Sequence, residues 1–146
     1  MMNPLPSVPN GLSLTLDIEP DGSLRRELGP LINAFHDETV PFHASRFTLR
    51  LQDAAGALAG GLSGVMSWGW LFVDGVWVHA DRRGIGAGRL LMAYAESHAA
   101  AHGCHSAWLD TFQACGFYEA IGYSVFGALE DYPAGQARSF LRKRLT

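Results

Sequence analysis

Arg83-Gly84-Ile85-Gly86-Ala87-Gly88 stands between the apolar stretch Phe72-Val73-Asp74-Gly75-Val76-Trp77-Val78 and a run of good helix formers from Arg89 to about His102. The upstream stretch is dense in β-branched and aromatic residues and predicts a strand. Downstream, Leu91, Tyr94, Ala95 and His98 recur at i, i+3, i+4 and i+7, with Arg89, Ala93, Glu96 and Ala100 opposite, which predicts an amphipathic helix. A glycine-rich turn that opens a helix gathers unpaired main-chain N–H groups and the positive end of the helix dipole at one point. That combination binds phosphate. Glycines let such a ligand reach the main chain with no Cβ in the way, and Arg82 and Arg83 add positive charge.

Three phosphate-loop patterns compete with a glycine turn that binds nothing. A P-loop requires Gly-Lys followed by Ser or Thr, and Lys143 is the only lysine of the chain. The dinucleotide fingerprint is G-x-G-x-x-G, whereas Gly84, Gly86 and Gly88 are spaced G-x-G-x-G with no regular βαβ repeat around them. The third pattern, Arg/Gln-x-x-Gly-x-Gly/Ala between strand and helix, is met by Arg83, Gly86 and Gly88. It resembles the pyrophosphate loop of the GNAT acyl-CoA N-acetyltransferases.

A second motif follows about thirty residues later. Phe117-Tyr118-Glu119-Ala120-Ile121-Gly122-Tyr123 is similar to the aromatic-Tyr-x-x-x-Gly-aromatic signature of the same superfamily, after a short strand at Trp108-Leu109-Asp110. Val125-Phe126-Gly127, Asp131-Tyr132-Pro133 and Phe140-Leu141-Arg142-Lys143 resemble the closing strands of its small bacterial members. The resemblance is strong from about Gly69 to Thr146; before about Phe47 only the element order matches. It implies an α/β (mixed α+β) GNAT-like fold: a twisted, mixed, mostly antiparallel sheet of six to seven strands with about four helices.

Composition agrees. The 146 residues suit one domain, 1–146, able to bury roughly two-thirds of its unfolded surface. Hydrophobic content of 48% and net charge −3 suit a folded globule with no general attraction to nucleic acid; the short Arg142-Lys143-Arg144 run reads as the solvated end of a last strand. Met1-Met2-Asn3-Pro4-Leu5-Pro6 lacks the charged and apolar regions of a signal peptide, and no run of 18 apolar residues exists. Two cysteines, Cys104 and Cys115, fit a reducing cytoplasm. The expectation is a cytoplasmic protein without membrane or nucleic-acid partners; a homodimer stays open.

Breakers and periods divide the chain further. Leu12–Ile18 alternates and predicts a strand closed by Pro20-Asp21-Gly22, and Leu28–Phe42 predicts a helix broken at Pro41. Phe47–Leu51 and Ala57–Trp68 flank a hairpin turn at Asp53-Ala54-Ala55-Gly56. The core strand, glycine loop and long helix come next, then a strand near Ser106–Thr111, a short helix near Gly116–Ile121 and two terminal strands. Trp68, Trp70 and Trp77 read mostly as core. His98 and His102, with Cys104 and His105 close behind, have some of the spacing of a zinc site but read as solvated helix-surface residues, so no metal is expected.

Asp74 carries two readings. Asp74-Gly75 is a strong two-residue hairpin signal, which would make Asp74 a turn residue. A continuous strand places it among apolar neighbours instead, with Gly75 at a bulge and the carboxyl raised by burial towards a useful base. What the resemblance implies is an acetyltransferase that takes acetyl-CoA as co-substrate and moves its acetyl group to a primary amine of a small molecule or peptide by direct attack. Arg82, Arg83, Gly84, Ile85, Gly86, Ala87, Gly88 and Arg89 would hold the pyrophosphate. Main-chain groups at Val76 and Val78 would polarise the thioester, Asp74 would act as base with His79 or a water relay as rivals, and Tyr118 would be the general acid at the leaving thiolate. Thr111 stands where many relatives carry a cofactor-contacting asparagine. Two other classes stay open: an acyl-CoA sensor without a working base, and a nucleotide-binding domain.

Overall fold

The computed structural model describes residues 4–18 and 21–146, which divide into two compact units, Met1–Pro41 and Phe42–Thr146. The leader reading of Met1–Asn3 and the turn at Pro20 lie outside the described residues.

In the first unit, α1 spans Ser23–Asp37. It starts earlier than the expected 28–42 because Gly22 takes a left-handed φ of 66° and Asp21 Oδ1 accepts from the Ser23 N–H at 3.1 Å. It also ends earlier, since the N–H groups of Thr39 and Val40 both turn back onto the His36 carbonyl. Residues 12–18, expected as a strand, are neither strand nor helix. Alternation supplies only the two faces of a strand. A ladder also needs a neighbour for its N–H and C=O groups, and none of the described ladders includes these residues.

The second unit is a six-stranded sheet with two helices. In chain order these are β1 (Ala44–Gln52), β2 (Leu58–Ser67), β3 (Trp70–Val78), α2 (Ala87–Ala101), β4 (Ser106–Thr111), α3 (Cys115–Ala120), β5 (Ser124–Glu130) and β6 (Ala137–Arg144). The sheet order is β1-β2-β3-β4-β6-β5, and only the β3–β4 pair is parallel. The described residues hold three α-helices rather than about four; a 3-10 turn at Ala80–Arg82 is the remaining helical piece. The β1–β2 hairpin turns where expected: Asp53 Oδ1 accepts from the N–H groups of Ala55 and Ala57, and Gly56 supplies φ 83°.

Helix α2 lies against the middle of the sheet. Its buried face is Leu91, Met92, Ala95 and Ala99, packed with Leu62, Leu71, Val73, Leu109 and Leu141. Tyr94, expected on that face, is 63% exposed. The two small alanines bring the helix backbone close to the strands, and that approach centres the contact one residue away from the tyrosine. Trp68 and Trp77, expected mostly in the core, are about half exposed; Trp77 is turned outward by an irregularity in β3.

Candidate active site

That irregularity is a bulge. On β2, Gly64 pairs with Val73 and Ser63 with Gly75, so Asp74 is an extra residue with no partner of its own. An extra residue reverses which side chains face the helix. Leu71 and Val73 point to the core before it, Val76 and Val78 after it. The Asp-Gly pair therefore makes no hairpin; β3 is continuous from Trp70 to Val78.

The other edge of β3 parts from its neighbour. Parallel pairing with β4 runs through Trp70↔Ser106, Leu71↔Ala107 and Phe72↔Trp108 and then stops. From Val73 onward the two strands diverge into a cleft.

The surroundings of Asp74 differ from those expected. Arg46 Nη1 donates to Asp74 Oδ2 at 2.7 Å and to Ser63 Oγ at 2.6 Å. Partial burial alone would push the Asp74 carboxyl up. Hydrogen bonds with Arg46 and Ser63, together with the Arg46 charge, outweigh it and hold the group below the usual carboxylate range. The raised value expected of a base among apolar neighbours is thus corrected to a lowered one. By linkage, the pair adds stability above the unfolded-state value and loses that contribution as pH falls through the lower, folded one.

Beyond β3 the chain is set for an anion. His79 Nδ1 accepts from the Asp81 N–H at 3.1 Å, which starts the 3-10 turn, and Arg83 Nε donates to the Val78 carbonyl at 3.0 Å. Gly84 (φ 76°) and Gly86 (φ 91°) are both left-handed, and Gly86 is the N-cap of α2. The first N–H groups of α2 have no partner within the helix. They open on a cavity of about 640 Å³ whose wall includes Arg82, Arg83, Gly84, Gly86, Ala87, Gly88 and Arg89, with Val76 and Val78 on its strand side. At Gly88, a Cβ would stand 3.1 Å from Phe117 Cζ, so any larger residue there would require the Phe117 ring to shift by a few tenths of an ångström.

A second cavity, of about 300 Å³, occupies the β3–β4 cleft and is lined by Asp74, Asp110, Thr111, Phe112 and Arg138 among others. Val76, Gln113, Ala114 and Tyr118 are common to both walls. Tyr118 is 9% exposed, its ring set edge-on to Phe117 at 5.0 Å and Tyr123 at 5.9 Å. Its hydroxyl makes no hydrogen bond to a described residue. Burial pushes the phenol up, so it stays protonated at neutral pH.

Most residues singled out from sequence therefore meet at these two cavities. Ile85 does not; it is 74% exposed and lines neither. Thr111 lines the cleft rather than the larger cavity, and its Oγ1 accepts from the Ala114 N–H at 3.2 Å. His79 lines neither cavity and faces its own turn. Gln113, Ala114, Phe117, Asp110, Arg138, Arg46 and Ser63 were not singled out. Asp110 had a signal, since a strand at Trp108-Leu109-Asp110 puts it on the same face as Trp108.

Residues 15–123 match the model of the acetyltransferase (GNAT) family. A blasticidin-S acetyltransferase of Streptomyces morookaense is 45% identical over 93 residues, spanning 62% of this chain and 68% of that protein. An acetyltransferase of Agrobacterium fabrum is 31% identical over 121 residues, 76% of this chain and 88% of that one. The crystal structure of an acetyltransferase from Bacillus cereus superposes with a TM-score of 0.75 at 28% identity, covering 88% of this chain and 97% of that one.

Proposed function

The chain belongs to the GNAT acetyltransferase family, and from that premise we propose how residues 1–146, acting as one acyltransferase domain, carry out the transfer of an acetyl group from acetyl-CoA to an amine. One observation carries the reading: Tyr118 stands in the common wall between the cavity at the start of α2 and the cleft that holds Asp74.

The N–H groups at the start of α2, with Arg82 and Arg83, hold the pyrophosphate of acetyl-CoA. The thioester enters along β3. Beyond Phe72 the β4-facing edge of that strand has no strand partner, so main-chain N–H groups at Val76 and Val78 are available to a developing oxyanion. The amine attacks the carbonyl carbon from the cleft, the N–C bond forms and the C–S bond breaks. Tyr118 gives its proton to the departing sulfur and regains one from the amine side, so no net charge is left behind.

Asp74, kept ionised by Arg46, holds the incoming ammonium. As a weak base it passes the proton through water rather than keeping it. The similarity to a blasticidin-S acetyltransferase supports a primary amine on a small molecule as acceptor over a peptide amine. Among the described residues no helix is long and apolar enough to cross a membrane. The two free cysteines support action in the cytoplasm.

The test is release of CoA thiol from acetyl-CoA with a panel of amines. Acetylated product with at least one amine is expected; tight CoA binding with no turnover on any of them would make the chain a sensor. Asp74→Asn should raise the acceptor KM by about tenfold, the scale of one charged hydrogen bond. The shape of the pH–rate profile from about pH 5 to 9 should persist, because Asp74 is ionised throughout that range. Disappearance of an acidic limb in the variant would instead make Asp74 the titrating base.

A further inference from the structure

Asp110 takes no part in the steps above, yet it lines the same cleft as Asp74 and Tyr118. Phe72 and Trp108 are the last paired residues of β3 and β4, and their rings stack with centroids 4.1 Å apart and planes 16° from parallel. Asp74 and Asp110 each come two residues later on their own strand. A two-residue step along an extended chain returns to the same face, so the two carboxylates stand on opposite walls just beyond the stacked rings.

Each carboxylate is held by its own arginine. Asp110 uses Oδ1 to accept from Arg138 Nη1 at 2.7 Å, and the Arg138 guanidinium is fixed over the Tyr132 ring, 4.4 Å from its centroid. Asp110 Oδ2 accepts no hydrogen bond from a described residue. An ionised carboxylate at a cavity wall with one oxygen uncommitted is a receptor for a cationic donor. A monoamine acceptor needs one such wall, and this cleft has two.

We propose that Asp110 is a specificity-determining residue: it receives a second positively charged group of the acceptor while the reacting amine lies between Asp74 and Tyr118. The preferred acceptors are then diamines or amino-guanidines small enough for a cleft of about 300 Å³. The proposal rests on the reading of this cleft as the acceptor site.

The experiment compares, in the full chain, an aliphatic diamine, an amino-guanidine and the matched monoamine of equal length. The unmodified protein should favour the two dications by about tenfold or more in kcat/KM, with the difference chiefly in KM. Asp110→Asn should bring that ratio close to one. Its uncharged side chain leaves Arg138 without its ion pair, so the double variant Asp110→Asn with Arg138→Met, which removes both charges, should lose the preference as well. Equal kcat/KM for monoamine and dications in the unmodified protein would overturn the proposal, as would a preference that survives in either variant. No turnover on any amine would instead overturn the acetyltransferase reading of the cleft, which separates the two failures.

Discussion

Tyr118→Phe should lower the rate of acetyl transfer by about 10²-fold or more, the scale of losing a positioned general acid. The substitution deletes one oxygen and keeps the ring that packs against Phe117 and Tyr123. The hydroxyl has no hydrogen-bond partner among the described residues, so its removal orphans no buried group and stability should change little. CoA affinity should also change little, because the proton matters as charge develops on sulfur rather than in the ground state. Steady-state rates under chemistry-limited conditions, with a thermal melt and a CoA titration, measure the three quantities separately. The loss should shrink with acyl donors whose leaving thiol is more acidic. A phenylalanine variant running at the parental rate would reduce Tyr118 to a packing residue.

Gly86→Val should weaken acetyl-CoA binding on a similar scale. Gly86 holds φ 91° at the start of α2, a conformation that costs a β-branched residue about 1–3 kcal/mol. The loop relieves that strain by leaving the arrangement that aims its N–H groups into the cavity, and binding must then restore it. The same free energy appears as a dissociation constant raised roughly 5- to 150-fold. Beyond its immediate chain neighbours, nothing lies within 4 Å of the position a Cβ would take, so a clash of that Cβ with the rest of the fold is not the cause. Direct titration with CoA decides it, with the CoA-induced rise in melting temperature as a second readout. Parental affinity would remove this glycine from the binding loop.

The glycine loop was legible in sequence because it is made of backbone. Its glycines, the strand before and the helix after are all local, and local patterns also place β4, α3, β5 and β6. The β3–β4 cleft was less legible for the same reason in reverse. Arg46, Ser63 and Asp74 come from three strands, and only the register of those strands brings them together. That is why Asp74 looked from sequence like a carboxyl raised by apolar neighbours, when a cation 28 positions upstream lowers it. Residues 12–18 failed as a strand on similar grounds, since alternation within a segment says nothing about who pairs with it. Tyr94 failed by one position on a helix wheel, because two alanines rather than the bulky side chain decide how α2 docks.

The bulge at Asp74 makes the site a matter of residue count. Removing either Asp74 or Gly75 would restore an unbroken pleat with Leu71, Val73, Val76 and Val78 still facing the core. Keeping both residues without the bulge would instead turn Trp77 inward and Val76 and Val78 outward. With both residues present, the inward facing of Val76 and Val78 and the place of Asp74 at the β3–β4 cleft rest on the same bulge. Side chains around the cleft can be exchanged one at a time, while any change of register along β3 would rebuild the walls of both cavities in the same stroke.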